Sequence, residues 1–317
     1  MIIIEHTLHF HTTQPTVVAI GKFDGIHKGH MEILKEMAAY KKQGLATLIL
    51  TFDNPPKQVI GHVGNEREQT DDGLVLTTNR EKRKIFSELG IDYYVELPFT
   101  EEVMRISPEQ FVKQILLERL NMRTIVCGKD CRFGYLGAGD VDLLHRLGSE
   151  LQFDVKVVDD VFMDGVKISS SKIRSELLAG QIEKANAMLM RPYLFYGEVV
   201  HGRRLGRTLG MPTVNLLPEP EKLIPPKGVY YSRVLHMGQE YRAVTNLGYK
   251  PTVSGDRMQM GIESYLYHFD EEIYGDFLYV SLYHFVREEM KFESIEELKA
   301  QMLADIRSGE EWHRENL

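Results

Sequence analysis

The sequence has almost no cysteine: Cys127 and Cys131 are the only two in 317 residues. That excludes a disulfide framework, and the pair, whose spacing is not CxxC, is expected to stay reduced without a metal or redox role. There is no surplus of positive charge. The net charge of −8 argues against broad nucleic-acid binding, which needs a basic surface. No uninterrupted apolar run reaches membrane length, and the amino terminus MIIIEHTLHFH lacks a basic n-region and a long apolar core. A cytoplasmic protein without a membrane partner is expected. GxxxxGK[ST] occurs nowhere, which excludes a P-loop, and there is no repeat or low-complexity segment. What remains is ordinary for a globular protein: 43% hydrophobic and 26% charged residues, in a chain long enough for two cores.

The first 187 residues alternate strand-like and helix-like segments. Apolar runs at Val17–Ile20, Ala46–Phe52, Tyr93–Leu97, Thr124–Cys127 and Val155–Val158 are separated by helical patterns at 31–42, 79–89, 108–120 and 140–151. Ser107-Pro108-Glu109 supplies an N-cap, a proline at the first position and an acidic first turn. The alternation predicts an α/β domain, a parallel sheet covered by helices on both faces. From 188 to 317 the character changes. Short runs rich in Val, Tyr and Leu, among them Tyr193–Val200, Gly228–Leu235, Tyr241–Leu247, Glu263–Phe269 and Phe277–Phe285, are separated by glycine, proline and polar turns. They predict an antiparallel barrel or sandwich, followed by a helix from Ser294 to about Ile306 whose start resembles a capping box.

Three stretches carry chemistry. GKFDGIHKGH, Gly21 to His30, lies between an apolar strand and a helical pattern, an arrangement that aims backbone N–H groups and a helix dipole at an anion. Gly21, Gly25 and Gly29 allow tight turning or close ligand approach, and His27 and His30 share a face of the first turn. A zinc site is disfavoured because no third ligand lies nearby at metal spacing. The bland alternative is a tight turn with capping histidines. Ile168-Ser169-Ser170-Ser171-Lys172-Ile173-Arg174 opens a second helix with serine caps and basic residues, and by itself reads equally as a solvated surface helix. Together the two helix starts could hold two ends of a triphosphate. In the second half, three glycines and three arginines between Gly202 and Gly210 precede Pro212-Thr213-Val214-Asn215. This reads as a polyphosphate-binding loop, against the plainer alternative of a basic hairpin. Thr213 and Asn215, two apart on an extended segment, point the same way and can ligate Mg²⁺.

GKFDGIHKGH, TFDNPP (51–56), CGKDCRFG (127–134) and ISSSKIR occur in the order found in the amino-terminal half of bacterial bifunctional riboflavin kinase/FAD synthetases, which the chain resembles along essentially its whole length. The GRRLGRTLGMPTVN stretch, NLGYKPT (246–252) and Glu263 resemble the riboflavin kinase module of that family. The resemblance implies a Rossmann-like nucleotidyltransferase domain over 1–187 and a β-barrel kinase domain over 188–317. It implies that His27 and His30 act on the ATP phosphates, helped by Arg174, Ser170 and Ser171. Gly21, Phe23, Asp24, Gly25, Gly29, Asp130 and Arg132 fall in the first ATP site. Gly202, Arg207, Thr213 and Asn215 fall in the second, with Thr213 and Asn215 on Mg²⁺. Glu263 is implied as the general base, and Asn54, Pro55 and Arg287 as flavin contacts. Cys131 stands where family members commonly carry an aromatic, and Lys172 where Arg is frequent.

The implied chemistry is ATP-dependent phosphorylation of riboflavin to FMN, then adenylylation of FMN to FAD. The substrates are small molecules, and any homo-oligomer is expected to be weak. One alternative is an FMN adenylyltransferase whose kinase-like half is inactive or only binds flavin. Another, from a different class, is a non-catalytic flavin-responsive binding protein, against which Pro-Thr-x-Asn and Glu263 argue.

Overall fold

A computed structural model of the chain describes residues 1–52, 73–202, 205–251 and 258–316. The chain divides into two compact units, 1–73 with 77–169, and 74–76 with 170–317.

The first unit is built on a six-stranded sheet, β1 (Ile2–Glu5), β2 (Thr16–Ile20), β3 (Ala46–Phe52), β4 (Tyr93–Leu97), β5 (Met122–Gly128) and β6 (Asp154–Val158). Their order is β1-β4-β3-β2-β5-β6 and every pairing is parallel. The central strands are apolar on both faces because helices cover both: Val17, Val18 and Ala19 of β2, and Leu48, Ile49 and Leu50 of β3, are fully buried. The crossover helices are α1 (Lys28–Lys41), α2 (Asn79–Glu88) and α3 (Val141–Leu151). Between β4 and β5 a turn of α-helix, Pro108–Gln110, runs into π-helix over Phe111–Arg119. The helical spacing read at 108–120 is thus present with a wider turn. The edge strand β1 escapes sequence reading because it is short and its Ile2 and Ile3 are exposed. A two-stranded hairpin, β7 (Phe162–Met163) and β8 (Val166–Lys167), was also not anticipated.

The second unit contains α4 (Ser170–Leu178), α5 (Ile182–Leu189) and a closed barrel. Its strands are β9 (Tyr193–Val200), β10 (Val214–Leu216), β11 (Gly228–His236), β12 (Gln239–Pro251), β13 (Met258–Leu266) and β14 (Phe277–Glu288), in the order β10-β13-β12-β11-β14-β9. Antiparallel pairing of β10 with β9 closes the ring, so of barrel and sandwich it is a barrel. Alternate residues fill the interior. Ser232, Thr245 and Ser264, all fully buried, satisfy one another through hydroxyl hydrogen bonds of 2.6 and 2.7 Å.

A final helix, α6 (Ile295–Asn316), packs on the outside of the barrel. Glu297 donates its N–H to Ser294 Oγ at 3.1 Å, and its carboxylate accepts from the Glu293 amide at 3.0 Å. The apolar pattern fades after Ile306, yet the helix continues, because Asp305, Gly309 and His313 are buried against the barrel. His313 is inaccessible to solvent, and its Nε2 lies 3.0 Å from the Ala243 carbonyl. Burial holds its pKa below the usual histidine value. Among the described residues no helix is long and apolar enough to cross a membrane.

Two predictions concern α6. A Cβ on Gly309 would sit 2.7 Å from Tyr267 Oη and 2.9 Å from Val244 Cγ2. Helix propensity alone would favour alanine by about 1 kcal/mol, but overpacking costs about 1–3 kcal/mol, so Gly309→Ala is expected to destabilise. Arg287 donates to Asp305 at 3.1 and 2.6 Å, and Gln301 donates to the same carboxylate at 2.9 Å. Asp305→Asn, which weakens a charge-assisted fork on a 5% exposed side chain, is expected to cost about 2–3 kcal/mol. Urea unfolding followed through Trp312, the only tryptophan, reads both.

Candidate active sites

β2 and β5 are neighbours at the point where the sheet reverses its direction of growth. In open parallel sheets ligands bind outside the carboxyl ends of the strands at such a point. Two of the motifs follow these two strands: GKFDGIHKGH after β2 and CGKDCRFG at the end of β5.

The first turn is strained and buried at once. Phe23 (φ 47°), Gly25 (φ 86°) and Ile26 (φ 43°) are left-handed. For the two non-glycine residues that costs on the order of 1–3 kcal/mol each. Both are anchored, Phe23 being 2% exposed and Ile26 inaccessible. Burying side chains of that size contributes about 1.5–3 kcal/mol each, enough to offset the strain. The turn leads into α1 with His27 as N-cap. The His27 N–H donates to His30 Nδ1 at 3.3 Å, and the two rings stack at 3.8 Å with an interplanar angle of 20°. Phe23 packs on His30 at 5.0 Å. Gly29 leaves room for His27, whose ring atoms would lie 3.2 Å from a Cβ there. Asp24 is 9% exposed, and its Oδ1 accepts the Thr77 N–H at 3.1 Å.

In CGKDCRFG, Asp130 is exposed and 3.7 Å from Lys167 Nζ, which also pairs with Asp160 at 2.7 Å. Arg132 is exposed and donates to the Cys131 carbonyl at 3.2 Å. Cys127 is buried in the sheet core and Cys131 packs against that core. A thiol–thiol hydrogen bond, with burial, raises the Cys127 pKa, and the same bond lowers that of Cys131.

Ser170, Ser171 and Arg174 belong to the second unit, not to the unit bearing the histidines. They open α4, where Arg174 donates to the Leu74 carbonyl at 2.7 Å and Lys172 pairs with Glu176 at 2.5 Å. Asn54 and Pro55 of TFDNPP, Arg203, Arg204 and Thr252 lie outside the described residues.

In the barrel the register does the positioning. Asn215 of β10 stands opposite Glu263 of β13, and Glu263 opposite Asn246 of β12. Asn246 is opposite Val229 of β11, and Val229 opposite Arg287 of β14. Residues opposite one another share a face, so one rank crosses five strands. Thr213, two before Asn215, donates from Oγ1 to Glu263 Oε1 at 2.6 Å. Gly202 lies against Asn215, whose Nδ2 and Oδ1 would be 2.6 and 2.9 Å from a Cβ there. Only glycine fits without moving the amide.

Two cavities meet at this rank. One, of about 270 Å³, is lined by Gly202, Arg207, Thr213 and Asn215, with Glu272 and Tyr274 on its far wall. Arg207 reaches Glu272 at 2.7 Å, and His201 packs on Tyr274 at 3.9 Å. The other, of about 290 Å³, runs between barrel and α6 and is lined by Thr213, Glu263, Asn246, Arg287, Glu289 and Met302, among others. Thr213 lines both. Asn246 and Glu289 were not singled out as site residues from the sequence. Asn246 had a signal in the NLGYKPT motif; Glu289 follows Arg287 by two residues with nothing local to distinguish it. Among the described residues no cluster of three or more His, Cys, Asp or Glu could hold a metal ion.

Comparison with known proteins gives these cavities a context. Residues 9–172 match the FAD synthetase family and residues 189–313 the riboflavin kinase family. The bifunctional riboflavin kinase/FMN adenylyltransferase of Escherichia coli K12 is 33% identical over 310 residues, 97% of this chain and 96% of the relative. That of Listeria monocytogenes is 35% identical over 290 residues, covering 91% and 90%. A crystal structure described as a macrolide-efflux protein from Streptococcus pneumoniae matches with a TM-score of 0.81 at 29% identity, covering 98% of this chain and 99% of that one. With both family matches in series and relatives aligned along almost their full length, the chain belongs to the bifunctional riboflavin kinase/FMN adenylyltransferase family.

Proposed function

We propose that residues 188–317 phosphorylate riboflavin to FMN and residues 1–187 adenylylate FMN to FAD, each with MgATP, in the cytoplasm. The observation that carries this reading is Glu263, which lines one cavity and is hydrogen-bonded to Thr213, a residue that lines both. A cavity lined by Gly202, Arg207 and the Thr213 hydroxyl suits a polyphosphate. The neighbouring cavity, with an apolar wall and a few polar groups, suits a flat heterocycle with a polyol chain.

In FMN formation the nucleophile is an alcohol, which is weak while protonated. Glu263 takes the 5′-hydroxyl proton as that oxygen bonds to the γ-phosphorus and the bond to the ADP oxygen breaks. Thr213 orients the carboxylate by donating to Oε1 at 2.6 Å. The hydroxyl of Thr213 and the amide oxygen of Asn215 are hard donors that fit Mg²⁺ alongside phosphate oxygens. Mg²⁺, when bound, would offset charge on the transferred phosphoryl group.

In FAD formation the FMN phosphate attacks the α-phosphorus and pyrophosphate leaves. That nucleophile is already anionic, so positioning and charge neutralisation suffice. His27, His30 and the amides opening α1 donate to phosphate oxygens. Gly21, Phe23, Asp24, Gly25 and Gly29 shape that pocket, with Asp130 and Arg132 at its edge. Asn54, Pro55 and Arg287 contact flavin in the two sites.

Separate chromatographic assays of FMN and FAD formation test the reading. With riboflavin and MgATP alone, both products are expected in sequence. His30→Ala is expected to lower FAD formation by about 10²-fold or more and to spare FMN formation. Glu263→Ala is expected to do the reverse when FMN is supplied. Loss of both activities in either variant, with the fold intact, would contradict two separate sites.

A further inference from the structure

The buried polar cluster behind the first turn has no role in the chemistry above. Lys82 on α2 is 2% exposed, an unusual place for an ammonium group. Burial acts to lower its pKa, and the net value lies below the ordinary lysine range. Three carboxylates act the other way, Asp24 most, then Glu96 and Glu81, while Lys22 adds to the lowering. Its Nζ donates to Asn79 Oδ1 at 3.1 Å. Glu96 is itself occupied by Asn79 at 2.7 Å and Arg83 at 3.1 Å. Asp24 belongs to the strained turn, and Thr77, which binds its carboxylate, lies just before α2.

One turn further along α2, Phe86 is inaccessible to solvent and meets Phe23 edge-to-face at 5.6 Å. Phe23 then packs on His30 at 5.0 Å, and His30 stacks on His27 at 3.8 Å. Lys82 and Phe86 are four apart and so share a helix face. The helix meets the turn at two points: its Phe86 ring packs against Phe23, and Thr77, just before its start, binds the Asp24 carboxylate. The backbone at and just after those points is left-handed at Phe23, Gly25 and Ile26 and persists only if its surroundings over-determine it.

We propose that Lys82 and Phe86 are positioning residues, and that α2, through Asp24 and Phe23, fixes the orientation of His27 and His30 toward the nucleotide. The inference rests on the reading of this turn as the ATP-binding element of FAD formation. Neither residue touches substrate on this account. Each sets the direction of groups that do, where a displacement of about 1 Å can cost on the order of a hundredfold in rate.

The test uses the full chain and two readouts. Lys82→Met is expected to lower kcat/KM for MgATP in FAD formation by roughly tenfold to a hundredfold, with FMN formation changed less than about twofold. Amide hydrogen exchange in a peptide spanning residues 21–30 is expected to rise at least about tenfold, with β2 and β3 unchanged. Phe86→Leu, a smaller change of shape, is expected to show the same split and carries the test if Lys82→Met fails to fold. Lys84→Met, on the same helix, is the control expected to leave both activities unchanged. Unaltered exchange at 21–30 with full FAD formation would overturn the proposal. So would exchange raised across the whole α/β unit, which would mark a general loss of structure. A wild-type chain that makes no FAD would overturn the functional reading, and the exchange arm would still decide the positioning claim.

Discussion

Between Ile20 and Lys28 the backbone has to leave the middle of a parallel sheet and enter a helix whose first turn carries two stacked imidazoles. It does so with three residues at positive φ, of which two carry large side chains. Such a turn has no local reason to hold its shape. Its energy comes from elsewhere, from Phe23 and Ile26 buried beneath it and from Asp24 tied to the segment before α2. The sheet, the covering helices and the buried Lys82 therefore belong to one argument. They supply the burial that makes a strained, donor-rich turn the lowest-energy state of this stretch.

The barrel solves the corresponding problem without strain. Asn215, Glu263, Asn246, Val229 and Arg287 reach one face because antiparallel pairing leaves them opposite one another. A closed ladder cannot slip by one residue without moving a whole strand's buried set to the wrong face. Thr213 adds a single hydrogen bond that settles which way the Glu263 carboxylate turns. Glycine here serves close approach: Gly202 makes room for Asn215, where the left-handed Gly25 makes room for a bend.

Much of this was legible in the chain. The runs Ala46–Phe52, Tyr93–Leu97 and Tyr193–Val200 coincide with strands because both faces, or alternate faces, of those segments are buried and their composition says so. The grouping of Thr213, Asn215 and Glu263 was readable in part: two residues apart on a strand is a local pattern, while the approach of β13 is not. Three things were hidden. The edge strand β1 has exposed isoleucines and no alternation, so its place depends on β4 alone. The end of α6 is set by the barrel it packs on, since Gly309 and His313 look like a fading helix until Tyr267 and Ala243 are placed beside them. Lys82 reads as one more solvated lysine on a charged helix, and only the fold puts it among Asp24, Glu96 and Glu81.

The two nucleophiles account for the difference between the two sites. An alcohol needs a base, so a carboxylate must stand at the acceptor with its proton-accepting oxygen in a fixed place. A rigid strand holding Glu263, with Thr213 on one of its oxygens, meets that need. A phosphate monoester arrives as an anion and would be repelled by a free carboxylate. In the turn after β2 the one carboxylate available, Asp24, is 9% exposed and engaged by the Thr77 amide. Its charge opposes the effect of burial on Lys82, and the other groups of the turn that suit a phosphate are backbone amides, imidazoles and the Lys22 and Lys28 side chains. The buried lysine behind the turn is thus part of the same electrostatic logic as the glutamate on the barrel. On the proposed reading one site uses a carboxylate as its base, while the turn of the other has its carboxylate engaged by a backbone amide.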